Sequence, residues 1–191
     1  MHILERSLAT ARAQTSHYEQ ERSSLASVLE TVAALQHASH ACLSLSELVP
    51  AMERVAALPR DTIQRYGLDE AMAGALVPAL KHMTSQWDPL REPYAGTREL
   101  FLWIPILLTT STEAERPMTP YESVMWNIWM PAARQALVNA WDVYDAAPAV
   151  AFIEAWRDLL PPFMLDNVFD QLLLPKLERA VQALSLIHIS E

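Results

Sequence analysis

The chain is predicted to be all-α, with one long N-terminal helix followed by helical-hairpin repeats that form an α-solenoid. Three observations predict this class. Apolar residues recur at three- and four-residue spacing through most of the 191 positions. Only 3 glycines are present, too few for the tight turns of a strand-rich fold. A third observation is a pattern that occurs three times: a large apolar residue (Leu68, Tyr121, Leu165), an acid directly after it (Asp69, Glu122, Asp166), and a proline ten after the apolar residue (Pro78, Pro131, Pro175). Self-similarity of this kind is the mark of stacked helical units.

The first element follows from Leu4, Leu8, Ala11, Thr15, Tyr18, Arg22, Leu25, Leu29 and Val32, which alternate spacings of four and three. This heptad seam strengthens toward its C-terminal end and predicts one long helix. Thr15 and Arg22 weaken it as a self-associating coiled coil, so packing on the rest of the chain or on a partner is expected. Gln36–Leu43 reads as a link. Ser44 and Glu47 have the spacing of a capping box, opening a helix that runs through Leu58. Pro59 stops it, and a long helix is expected from Asp61 to Trp87, with Pro78 inside.

Asp88-Pro89 breaks the chain, and TRELFLWIPILL (97–108) predicts a short apolar helix buried on most sides. Thr109–Met118 is the most loop-like stretch and is expected to be a mobile surface excursion. Thr119-Pro120-Tyr121-Glu122 is a second capping box, with proline at the first helical position. It opens a long helix to Trp141, in which Trp126 and Trp129 share one face. After the link Asp142–Ala147, a helix from Pro148 should end near Leu160 at Pro161-Pro162, and the last long helix carries Pro175. The final run SLIHISE resembles a translated sequencing adapter. The expected division is therefore 1–43 (long helix and link), 44–183 (repeat domain, its last unit incompletely covered) and 184–191 (non-native tail).

Charge and cysteine content narrow the function classes. A net charge of −9 opposes a phosphate-tracking surface, which needs clustered Lys and Arg. One cysteine, Cys42, cannot form an internal disulfide, pointing to a reducing compartment. The apolar run near Leu100–Leu108 is too short to cross a hydrocarbon core of about 30 Å, so no membrane role is expected.

Candidate chemistry is sparse. His37, His40 and Cys42 lie close together, but a zinc site needs four ligands and no second pair stands nearby. Asp166 and Asp170 share a helix face without a pocket-forming loop, which suits solvated acids better than an acid/base pair. No catalytic, metal or cofactor residue is assigned. Trp103, Trp126 and Trp156 fall on apolar faces and read as core. Trp87 and Trp141 close helices, where an indole packs on the next hairpin with its N–H in water; they are the candidate partner-binding residues. Asn127 and Gln171, four before their prolines, either donate near the carbonyls those prolines free or are plain surface positions.

Four blocks carry a resemblance: WDPL (87–90), YAGT (94–97), WMPAAR (129–134) and LDNVFDQLLLPKLERAV (165–181). In this order they resemble the GC-rich-sequence-DNA-binding-factor-like domain of the tuftelin-interacting protein 11 family, over roughly Leu25 to Ala183. One departure is that Trp141 follows Pro131 by ten residues, one more than the family's usual spacing.

The resemblance implies a non-enzymatic scaffold in a nuclear pre-mRNA splicing factor that helps dismantle the intron-lariat spliceosome. Spliceosomal proteins would be its partners. A DEAH-box RNA helicase would be engaged through an upstream glycine-rich G-patch, which this chain does not contain. The alternative is a nucleic-acid-binding module, as the domain's name suggests.

Overall fold

The computed structural model describes residues 2–41, 44–108 and 117–189, with side chains from 5 to 184. Among the described residues there are eight helices and no strand. They are α1 (His2–Ala41), α2 (Leu45–Ala56), α3 (Arg60–Arg65), α4 (Leu68–Gln86), α5 (Thr97–Leu107), α6 (residues 120–140), α7 (Ala147–Trp156) and α8 (residues 162–189). The C-terminal part of α1 packs on α2 and α4, α4 packs on α6, and the far half of α6 meets α8. Leu48, Met52, Leu76, Leu80, Leu100, Met125, Phe152 and Met164 lie in one continuous apolar core.

The long first helix is present, but its buried stripe is not the expected seam. Every side chain from residue 5 to residue 27 is exposed. The core begins at Val28 and continues through Val32, Leu35 and Ser39, a stripe that shares only Val32 with the predicted one. The stretch read as a link from Gln36 is helical through Ala41, because Leu35 and Ser39 are clamped against α4, with the Ser39 hydroxyl donating to the Ala75 carbonyl at 3.1 Å. Cys42, Leu43 and residues 109–116 lie outside the described residues, and with them most of the predicted excursion.

Other boundaries move for local reasons. Ser44 makes no side-chain cap bond; its hydroxyl pairs instead with that of Ser46 at 2.5 Å. The helix expected from Asp61 to Trp87 is split, because Gly67 adopts φ 59 between α3 and α4, a conformation that ends a right-handed helix. α7 stops at Trp156, four residues before the expected end, since a turn accepted by the Trp156 carbonyl precedes Pro161. Pro162 then opens α8, where its missing donor is harmless. In α5 only Leu100, Trp103 and Leu107 are buried, while Phe101 and Leu102 face outward. The expectation that this helix is covered on most sides is thus corrected: α2 and α4 touch one stripe of it.

The second capping box forms as expected. The Glu122 amide donates to Thr119 Oγ1 at 3.2 Å and the Thr119 amide to Glu122 Oε2 at 2.7 Å. Downstream, each of Pro78, Pro131 and Pro175 lies inside a long helix, and two of the three follow a widened turn. Met125–Trp129 and Val168–Leu173 are π-helical, immediately before Pro131 and Pro175. A proline ring crowds the carbonyl four residues back and offers it no donor, and a wider turn relieves that crowding. Asn127 Nδ2 donates to the Ser123 carbonyl at 2.7 Å, one turn before the carbonyl that Pro131 frees, and Gln171 is exposed.

The extra residue between Pro131 and Trp141 also has a place. Ala136–Ala140 is a third π-turn, closed by the Trp141 amide on the Ala136 carbonyl at 2.8 Å. One added residue in an α-helix would rotate everything after it by roughly 100°. The wide turn absorbs it, so Trp141 closes α6 as Trp87 closes α4.

Candidate interaction surface

The two helix-closing tryptophans build the same corner twice. Trp87 Nε1 donates to the Glu92 carbonyl at 2.8 Å, and Trp141 Nε1 to the Asp145 carbonyl at 2.8 Å. The aspartate after each, Asp88 or Asp142, accepts from the amide two residues on, at 3.1 and 3.0 Å. This is an Asx turn, which lets a short polar side chain reverse the chain in place of a backbone bond. Both indole N–H groups were expected in water, and both are held instead by the turn that follows them. Trp141 is buried and Trp87 half-buried.

Trp87 is one of four rings that join the three proline-bearing units. It lies 5.9 Å from Phe152 and 5.3 Å from Trp156, while Trp129 stacks on Phe152 at 5.5 Å and meets Trp156 at 5.1 Å. Trp156 Nε1 donates to the Pro93 carbonyl at 2.7 Å. Trp103 and Trp156 are core residues as expected. Trp126 is only half-buried, its ring tilted against that of Phe163 at 6.0 Å.

A residue that sequence reasoning missed ties α6 to α8. Lys176 Nζ donates to the carbonyls of Leu137 and Val138, each at 3.0 Å, and to that of Trp141. It also lies 5.4 Å from the centre of the Trp141 ring. Helix C-termini carry orphan carbonyls and partial negative charge, so an ammonium there is stabilising. The only sequence signal is a lysine directly after a repeat proline, where the other units have Ala79 and Ala132. At the end of α4 no such lysine is present among the described residues, and the Thr84 and Ser85 hydroxyls bond back to the Leu80 and His82 carbonyls of their own helix.

Beyond that contact α7 and α8 enclose a groove of about 230 Å³, lined by Trp141, Val150, Ile153, Phe169, Leu173 and Leu177, with Glu154 at its rim. Val150, Phe169 and Leu177 are each at least 40% exposed. Asp170 and Glu178 are exposed on the same helix, as is Asp166. The arrangement suits an apolar helix face with a polar contact to Glu154.

Among the described residues no chemistry-bearing cluster competes with this surface. Among the described residues no group of three or more His, Cys, Asp or Glu side chains is placed to hold a metal. His40 Nδ1 faces the Gln36 carbonyl of its own helix at 2.7 Å, and Cys42 lies outside the described residues. No described helix is long and apolar enough to cross a membrane.

Residues 45–186 match the family described as GC-rich sequence DNA-binding factor-like protein. The chain is 32% identical over 143 residues to Tuftelin-interacting protein 11 of Danio rerio, covering 73% of this chain and 17% of that protein. It is 35% identical over 109 residues to the Xenopus tropicalis protein of the same name, covering 55% and 13%. Septin-interacting protein 1 of Drosophila melanogaster is 33% identical over 120 residues, covering 61% and 14%. The chain thus spans less than a fifth of the length of these curated relatives.

Proposed function

The chain belongs to the GC-rich sequence DNA-binding factor-like family, and from that premise we propose that it is a non-catalytic scaffold segment of a nuclear pre-mRNA splicing factor acting in disassembly of the intron-lariat spliceosome. The observation that carries the scaffold part is the open apolar groove between α7 and α8, with Glu154 among its lining residues, at the end of a row of long helices. In this reading α4, α6 and α8 are successive layers of a solenoid: α4 packs on α6, α6 on α8, and the groove receives the next helical element. A solenoid offers an extended surface that holds several partners at high effective concentration. The splicing role comes from the family resemblance. Helicase activation is assigned to a G-patch elsewhere in the full-length protein, since a ligand without differential affinity for two states of a motor shifts nothing.

The family's name favours a second reading, direct nucleic-acid binding. The net charge of −9 weighs against it. So does the engagement of cations within the chain: Lys176 on carbonyls, Arg60 on the Pro105 carbonyl at 3.1 Å, and Arg91 on Asp88 at 3.5 Å. The test is capture from nuclear extract with the purified chain and with Leu177→Glu, alongside ATP hydrolysis by the DEAH-box helicase and a nucleic-acid titration at two salt concentrations. Splicing proteins recovered by the wild-type chain and lost with Leu177→Glu are expected, without helicase stimulation. Recovery of no splicing protein, or nucleic-acid binding that weakens steeply with salt, overturns the scaffold reading.

A further inference from the structure

The apolar seam along the first two-thirds of α1 is not buried against the rest of the described chain. From residue 5 to residue 27 every side chain is exposed, including Leu8 at 53%, Tyr18 at 66% and Leu25 at 42%, with Leu29 following at 61%. In proteins most helical stability comes from packing of an apolar face rather than from intrinsic propensity. Leu8, Ala11, Thr15, Tyr18, Arg22, Leu25 and Leu29 form a continuous seam at four- and three-residue spacing. The stripe that binds the core, Val28, Val32 and Leu35, lies mostly to one side of it, so the seam stays free up to Leu29.

We infer that this seam is a self-association surface: two copies of the chain pair through residues 8–29 of α1 as an antiparallel helical dimer. The seam's own residues select both the occupant and the direction. In a parallel pair Arg22 would meet Arg22 of the second copy, and Ala11 would meet Ala11, placing two like charges in one layer and a void in another. In the antiparallel register that sets Tyr18 against Thr15 of the second copy, Arg22 instead crosses over Ala11, and Leu8 meets Leu25. Large side chains then face small ones at each polar layer. On one flank of the seam this register also sets Arg12 opposite Glu19 of the second copy, and by two-fold symmetry Glu19 opposite Arg12, giving two opposite-charge pairs. Both residues are exposed. Glu21, on the other flank, is already 3.7 Å from Arg65 of α3, so the chain's body approaches the helix from the side away from Arg12 and Glu19.

The test is sedimentation equilibrium of the full chain over about 1 to 100 μM, with three variants. The wild type should show a concentration-dependent dimer. Arg12→Glu sets like charges at both flanking positions and should weaken it roughly tenfold, as should Glu19→Arg, whereas the double variant R12E/E19R restores the opposite pairing and should return to within about threefold of wild type. These positions are exposed, so each variant should keep the wild-type thermal midpoint of the helical core. A chain that stays monomeric at every concentration overturns the proposal. So does a dimer whose affinity is unchanged by single reversal, or one that double reversal fails to restore.

Discussion

Trp87 and Trp156 stand 5.3 Å apart, ring to ring, and their indole N–H groups hold adjacent carbonyls, those of Glu92 and Pro93. The loop between α4 and α5 is thereby fastened from two separate units. Trp156→Phe keeps most of the packing and removes one donor, and should cost about 1 kcal/mol. Trp156→Ala empties the centre of a four-ring cluster and should cost about 3–5 kcal/mol. Chemical denaturation of both variants measures the difference; equal losses would show that the ring contributes nothing beyond the Pro93 bond.

Lys176 joins two units through main-chain carbonyls alone. Lys176→Met retains the stem and loses the ammonium, and should destabilise by about 1.5–3 kcal/mol, the range for hydrogen bonds to a charged group. Lys176→Arg should not rescue it, because a planar fork does not converge on three carbonyls as a rotating ammonium does. For a chain of this size, thermal midpoints should fall about 2–4 °C per kcal/mol.

The π-turn at Ala136–Ala140 predicts an asymmetry between α6 and α4. Deleting the exposed Asn139 should convert that turn to ordinary α-helix, leave the Trp141 corner in place and cost little. Deleting His82 in α4, where no wide turn lies between Pro78 and Trp87, should rotate the Trp87 side chain by roughly 100° and break its contacts with Phe152 and Trp156. Tryptophan fluorescence with thermal melts distinguishes them: the first deletion should resemble wild type and the second should lose its cooperative transition.

Tyr121 lies in the core, its hydroxyl donating to the Leu159 carbonyl at 3.1 Å, and burial pushes its phenol well above the usual value. The folded form therefore keeps its proton where the unfolded chain, with a phenol near pKa 10, gives it up. That contribution is intact below about pH 10 and is lost as pH rises beyond it, with a slope approaching 1.4 kcal/mol per pH unit. Urea midpoints from pH 8 to 11 should show this decline. Tyr121→Phe should flatten it while costing about 1 kcal/mol at neutral pH.

Amino-acid order alone determined what is decided within a turn or two of helix. The all-α class, the capping box at Thr119 and the three proline-bearing helices follow from spacing, missing donors and φ preferences, which act over about four residues. The core placement of Trp103 and Trp156 was also legible, because a helix stripe dense in apolar residues must face inward. Only the tertiary structure decided which face of α1 is buried. Two seams one residue apart are nearly equivalent in periodicity, and the choice fell to the surfaces of α2 and α4. The same holds for the interaction surface. Trp156 finds its carbonyl 63 residues away and Lys176 finds the Leu137 carbonyl 39 residues away, pairings set by how one hairpin lies on the next. The groove between α7 and α8 exists because two helices far from any common motif come side by side, and periodicity records that each has an apolar face without recording what that face meets.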